Sequence, residues 1–201
     1  MNASHSPPNM LPDAGAGRPH ARGTCIHRAG DTGPCWRIRR GAVRLDRVGG
    51  ATASDATFVG ILLAGDLLGA EAMLFGAYVF TATAIETVEI EAWTTPAADD
   101  LLRSLASAEQ RTADVLRLRA GDADTRVRHL LQMLASVCGN VSHAVIQLPS
   151  LRDMADFTGM AQETVSRVIS QLRRQGLLQR YQGRRAQVDL PRLRAVATLV
   201  M

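Results

Sequence analysis

The chain has 201 residues, 46% hydrophobic and 21% charged, with a net charge of +4. That is enough apolar material for one large domain or two small ones, and no apolar run approaches the roughly 20 residues that span a bilayer. The opening MNASHSPPNM has neither the basic n-region nor the apolar h-region of a signal peptide, so a cytoplasmic protein with no membrane partner is expected.

The charge is unevenly spread. Residues 1–50 carry eight Arg against three Asp, residues 51–148 six Arg against twelve acids, and residues 149–201 nine Arg against four acids. An acidic middle followed by a basic end suggests two modules, the last facing a polyanion. Every basic residue is Arg and none is Lys, which suits bidentate phosphate and guanine contacts but equally follows from a GC-rich codon bias. Three cysteines, Cys25, Cys35 and Cys138, are too few and too scattered for a disulfide framework and fit reduced thiols.

In chain order, residues 1–23 are rich in Pro, Gly, Ala and Ser and have no apolar period, which predicts a disordered tail. Residues 24–96 switch to short apolar runs punctuated by glycine: Trp36–Ile38, Ala42–Leu45, Phe58–Leu62, Thr87–Ile90 and a weakly alternating Phe80–Ile85. Strands this short at this spacing predict a small sandwich or jelly roll. In residues 97–121 glycine vanishes until Gly121, and Leu101, Leu105, Ala108, Thr112, Val115 and Leu118 recur at helical spacing. Asp99 and Asp100 suit the start of that helix, and Arg117 and Arg119 its end. Its stripe is expected to bury itself either on its own domain or on a symmetric partner helix. A further helix is expected over Ala123–Val137, capped by Asp122 or Asp124 and ended by Cys138-Gly139-Asn140.

The region from Leu148 onward carries the most information. Ser150 is placed to cap a helix over Leu151–Thr158, with Leu151, Met154 and Ala155 inward. Gly159 suits a left-handed turn, and a second helix over Ala161–Gln175 turns Val165, Val168, Ile169 and Leu172 inward. Its outer face then carries Gln162, Glu163, Ser166, Arg167, Ser170, Arg173 and Arg174. A small residue at the crossing, a turn glycine and an apolar anchor suit a helix-turn-helix, although a plain helical hairpin reads the same way. Gln179–Val188, turning at Gly183, reads as a basic hairpin, a wing with Arg180, Arg184 and Arg185 near phosphates.

These residues resemble a family. Gly159–Leu172 is similar to the recognition helix of Crp/Fnr transcription regulators. Leu63–Ala72 resembles the family's β-roll segment around the effector pocket, Arg28–Asp31 and Ile38–Leu45 its opening strands, and Asp122–Leu131 the start of its post-dimerisation helix. The matches fall in family order over residues 24–190. The resemblance implies an α+β fold: an N-terminal β-roll (a cyclic-nucleotide-binding-like jelly roll, 24–96), a long dimerisation helix (97–121) and a C-terminal winged helix-turn-helix domain (122–201). It also implies a homodimer on double-stranded DNA, with RNA polymerase as a partner.

Glu163-Thr-Val-Ser166-Arg167 resembles the Fnr-type reading set. Arg167 can fork onto guanine O6 and N7, Glu163 can accept from cytosine N4, and Ser166 is a short adaptable contact. Crp-type members have Arg directly before the Glu, where this chain has Gln162, so a TTGAT half-site is expected over TGTGA. An i,i+4 salt bridge between Glu163 and Arg167 is the competing account of the acid. Ser150, Ser170, Arg173, Arg180, Arg184 and Arg185 are the expected phosphate contacts.

Cyclic-nucleotide-binding members use a Gly-Glu pair for the ribose and an Arg for the phosphate. Here Gly69-Ala70-Glu71 shifts the acid by one, which in a strand turns it to the other face. The stretch Tyr78–Thr81, where the Arg belongs, has no basic residue. Gly69, Glu71, Tyr78 and Thr81 thus read as a degenerate effector pocket, since a buried phosphate without a cation is costly. Three scattered thiols make a poor iron–sulfur site. A haem held by Cys25, His27 or another histidine (His5, His20, His129, His143) and a Cys25/Cys35 redox sensor stay open, so the effector and any cofactor are unknown. No catalytic residue or metal site stands out, and an enzyme is not expected. The alternative to a DNA-binding regulator is a ligand- or redox-sensing module acting through protein partners.

Overall fold

The computed structural model describes residues 19–49, 56–94, 98–139 and 142–195. Seven strands form the N-terminal part: β1 (Cys25–His27), β2 (Trp36–Arg40), β3 (Ala42–Val48), β4 (Ala56–Leu63), β5 (Leu67–Leu68), β6 (Thr81–Ala84) and β7 (Glu89–Ala92), with a single helical turn, α1 (Ala72–Phe75), after β5. They make two antiparallel sheets, ordered β1-β6-β3-β4 and β5-β2-β7. Alternation places Ile38, Val43, Leu68, Ala82, Ala84, Val88 and Ile90 inside, where they form the core of this roll.

The first eighteen residues of the expected tail lie outside the described residues, but residues 19–23 depart from that expectation. His20 and Val88 exchange backbone hydrogen bonds of 2.8 and 2.9 Å, and Gly23 N–H donates to Ala84. Arg22 reaches Asp153 at 3.4 Å. Backbone pairing along a sheet edge needs no apolar side chain, so composition held no sign of it.

α2 (Ala98–Arg117) follows, then α3 (Ala123–Ala135) and a 3₁₀ turn, Ser136–Cys138. Of the two candidate caps for α3 the structure selects Asp122, whose carboxylate accepts from Thr125 N–H at 2.8 Å. The C-terminal part comprises β8 (His143–Gln147), α4 (Leu151–Thr158), α5 (Gln162–Arg174), β9 (Leu178–Arg180), β10 (Arg185–Asp189) and α6 (Leu190–Ala195). The sheet order is β8-β10-β9. The architecture is α+β: a β-roll, helices and a winged helix-turn-helix. No described helix is long and apolar enough to cross a membrane.

One apolar core runs from the roll into this C-terminal unit. Phe58, Ile61 and Leu63 of β4 are continuous with Leu118, with Leu130 and Leu131 of α3, and with Phe157 and Leu172. Phe58 and Phe157 meet at 4.7 Å between ring centroids. The two modules read from charge therefore pack on each other.

Candidate nucleic-acid interface and effector cavity

α4 opens on a complete capping box. Ser150 accepts from Asp153 N–H, and Asp153 accepts from Ser150 N–H. Met154, Ala155 and Phe157 are buried. Leu151, expected inward, is instead exposed; as the first residue of the helix it lies a full turn from the buried row. Gly159 ends α4 in the left-handed region at φ 64°, a conformation that favours glycine. The chain then enters α5, whose Val165, Val168, Ile169 and Leu172 are buried. Ala155 on α4 and Val165 on α5 let the two helices cross closely within one core.

With that row inside, Gln162, Glu163, Arg167, Arg173 and Arg174 are exposed, and Ser166 and Ser170 half-buried. No ion pair joins Glu163 to Arg167 among the described residues, so the competing local salt bridge is not formed. Ala161, the N-cap of α5, offers no side-chain acceptor, which leaves first-turn N–H groups open at the end carrying Gln162 and Glu163. Arg128 holds this helix from behind: it is buried, pairs with Asp124 and reaches Gln175 at 3.3 Å.

The expected phosphate contacts divide into three groups. Arg173, Arg180 and Arg184 are exposed, the last two flanking the turn at Gly183 between β9 and β10. The hydroxyls of Ser150 and Ser170 are already engaged, donating to Asp153 and to the Ser166 carbonyl oxygen. Arg185 is exposed as well and also borders a pocket of about 380 Å³ between roll and wing, together with Arg40 and Glu86.

A larger cavity of about 710 Å³ lies between the roll and α2. Its walls are mostly apolar: Val59, Ile61, Leu62 and Leu67 from the roll, and Leu101, Leu105 and Val115 from α2. Among the described residues its one lining cation is Arg111, which is bound to buried Asp66 at 2.9 Å. Of the four expected pocket residues, Gly69 and Glu71 line it. Glu71 is not on a strand; it lies in helical conformation at the N-cap of α1, so its offset reflects a turn rather than a flipped face. Tyr78 and Thr81 lie outside the lining. The buried Tyr78 donates to the Pro34 carbonyl oxygen at 2.7 Å, and Thr81 Oγ1 accepts from Ala29 N–H at 3.1 Å. Gly69 is required where it is: it sits at φ 77°, and a Cβ there would lie 2.4 Å from the Tyr78 ring.

His27 stacks on Tyr78 with 3.7 Å between ring centroids and has no hydrogen-bond partner for either ring nitrogen among the described residues. Burial pushes its pKa down from 6.5 to about 4, against an opposing pull from Asp31. Because the fold favours the neutral ring, the unfolded chain protonates first as pH falls. The stability this group contributes is whole above about pH 6.5 and is lost down to about pH 4, at about 1.4 kcal/mol per pH unit. His27→Phe keeps the stack and removes the titration. Urea midpoints should show the variant losing about 3 kcal/mol less than the parent between pH 7 and pH 4; equal losses would refute the assignment. Burial also pushes the Cys35 thiol up to about 11, with Glu71 adding to the shift, which suits a protonated, unreactive thiol. Among the described residues, no three His, Cys, Asp or Glu side chains converge as a metal site would need.

Residues 125–196 match the family model of the Crp-like helix-turn-helix domain. A CRP-family transcriptional regulator from Thermus thermophilus superposes with a TM-score of 0.70 at 26% identity, covering 90% of this chain and 96% of its own. The C-terminal part of the chain is thus a Crp-like helix-turn-helix domain, and the chain as a whole has the fold of CRP-family regulators. FixK2 from Bradyrhizobium japonicum gives a TM-score of 0.68 at 23% identity over 89% of this chain and 94% of its own. A second Thermus thermophilus regulator, of the CRP/FNR family, gives 0.66 at 23% over 90% and 97%. No curated protein matches the chain by sequence. The fold is that of a DNA-binding transcription regulator, with α5 as the second helix of its helix-turn-helix. Sequence reasoning missed the charged groups that hold the regulator's parts together, Arg111 with Asp66 and Arg44 with Asp46, Asp153 and Asp156. Most of these partners lie far apart in sequence, and no local motif announces them.

Proposed function

We propose that the protein is a homodimeric, cytoplasmic transcription regulator that reads an Fnr-like palindrome of TTGAT half-sites and works with RNA polymerase. The observation that carries this reading is the face of α5, where Gln162, Glu163 and Arg167 stand exposed over a buried apolar row and without an ion pair between the acid and the arginine. Arg167 reads guanine, Glu163 accepts from cytosine, and Gln162 and Ser166 adjust to the flanking bases. Phosphate contacts fall to Arg173, Arg180, Arg184 and Arg185, whose exposed side chains can reach the backbone.

Dimerisation falls to α2, a twenty-residue helix with no buried residue and with Leu102, Leu105 and Leu116 exposed. A helix of this length with an uncovered apolar stripe is supported by packing against a partner. Fluorescence anisotropy on a TTGAT palindrome against a scrambled duplex tests the whole reading. Specific binding should fall steeply with salt, at about 0.9 logarithmic units per phosphate contact. Equal affinity for both duplexes, or none, would favour a module that acts through protein partners.

The effector is proposed to occupy the cavity between roll and α2, and it is not a cyclic nucleotide. The lining cation Arg111 is already held by Asp66, and a buried phosphodiester without a counter-charge is strongly disfavoured. Calorimetry with cyclic AMP should show no binding at millimolar concentration, and cyclic AMP should leave DNA affinity unchanged. Micromolar binding would overturn this view of the cavity.

A further inference from the structure

The roll meets the C-terminal unit through a charged contact that neither base reading nor the cavity uses. Arg44 on β3 directs its guanidinium Nε at both oxygens of Asp46, each at 2.8 Å. Its Nη1 reaches Asp156 at 2.9 Å and Asp153 at 3.5 Å, both on α4. The same cation lies 5.8 Å over Phe58 of the roll and 5.6 Å over Phe157 of α4. Burial alone would lower its pKa, but the bonds to Asp156 and Asp46 more than reverse that, and the charge is retained. Two further arginines grip the same helix from outside the C-terminal unit. Arg22 pairs with Asp153 at 3.4 Å, and Arg119, just past α2, donates to the Asp156 carbonyl oxygen at 3.3 Å.

We infer that Arg44 is a positioning residue for DNA reading: it clamps α4 to the roll and so fixes the direction in which α5 is presented. The inference rests on the reading of α5 as the DNA-reading helix. Because α4 and α5 share one core, what holds α4 also orients α5. The charge arrangement makes the clamp two-sided. With Arg44 in place, three carboxylates converge on a cation; without it, Asp46 on the roll faces Asp153 and Asp156 on α4 with Arg22 still paired to Asp153, and the like charges loosen the hold on α4 that the apolar core alone then maintains. In a dimer the consequence is geometric. Two rigidly held recognition helices accept one half-site spacing, whereas swinging ones tolerate several.

Arg44→Met and Asp156→Asn test this in the full chain. The Asp156 side chain is 40% exposed, so its amide variant keeps the fold even where Arg44→Met fails to. Two measurements are needed: affinity for palindromes whose half-sites are moved apart or together by one or two base pairs, and hydrogen exchange of α4 against α5 without DNA. One base pair turns a half-site by about 35°, so the parent should favour its spacing by about tenfold or more. Both variants should flatten that preference to within about threefold, keep α5 protected and speed exchange in α4. A variant that weakens binding to all spacings alike, with the parent's preference intact, overturns the inference. Should the parent show no sequence-specific binding, the DNA-reading assignment falls first. Exchange then decides the clamp separately, and α4 protection unchanged in both variants would sink it.

Discussion

Replacing Leu105 and Leu116 together with Asp should dissolve the proposed dimer and abolish tight binding to the proposed palindrome. The two residues lie eleven positions apart, three helical turns on one face, and are 59% and 70% exposed in the single chain. A symmetric pairing through this face would place four carboxylates in one shared apolar seam. Each would have to be desolvated without a counter-charge, at several kcal/mol apiece. The dimer dissociation constant should therefore rise by at least about a thousandfold. Each subunit would then meet a single half-site, losing the effective concentration that the partner supplies. Val115 and Leu118 belong to the stripe read from the sequence, but they are unsuitable for this test. Leu118 is fully buried and Val115 packs against the same core, so charge there would unfold the subunit. Sedimentation velocity gives the oligomeric state, and thermal melts verify that the variant subunit remains folded. A variant that still sediments as a dimer would place the interface elsewhere.

That split of the α2 stripe illustrates what the sequence could and could not disclose. Helical periodicity identified the apolar face, yet it cannot say which neighbour covers each turn; here the end of the stripe enters the subunit's own core, while Leu105 remains at the cavity rim. The helix-turn-helix was the most legible part because its signals are local. Ser150 caps, Gly159 turns, and Val165, Val168, Ile169 and Leu172 keep one helical period. Strand β8 escaped notice although Ala144 and Ile146 alternate inward, because five residues close to a helix end carry too short a pattern to separate from loop. In the pocket, the lack of a basic residue at Tyr78–Thr81 was visible in the sequence. That Tyr78 would instead pack between His27 and Gly69 was not, since it depends on residues brought together from three separate segments. The Arg44 contact spans more than a hundred positions to Asp156 and belongs wholly to tertiary structure.

The sharpest expectation concerns division of labour between α5 and the wing. Arg167→Ala removes the proposed fork onto guanine and should cost roughly 1–3 kcal/mol on the TTGAT palindrome. Arg167 is exposed, and no ion pair engages it among the described residues, so the substitution leaves no orphaned partner and the fold should be unaffected. The loss should concentrate at the guanine: parent and variant should bind a duplex altered at that position about equally. Arg184→Ala, beside the wing turn at Gly183, removes a charge proposed to meet phosphate whatever the base. It should weaken binding to every duplex alike and flatten the logarithmic salt dependence by about one unit per subunit. Anisotropy titrations of both variants against matched, guanine-substituted and scrambled duplexes, each at several salt concentrations, separate the two roles. If Arg167→Ala weakened all three duplexes equally and changed the salt slope, Arg167 would be a backbone contact, and the assignment of Glu163, Ser166 and Arg167 as an Fnr-like reading set would fail with it.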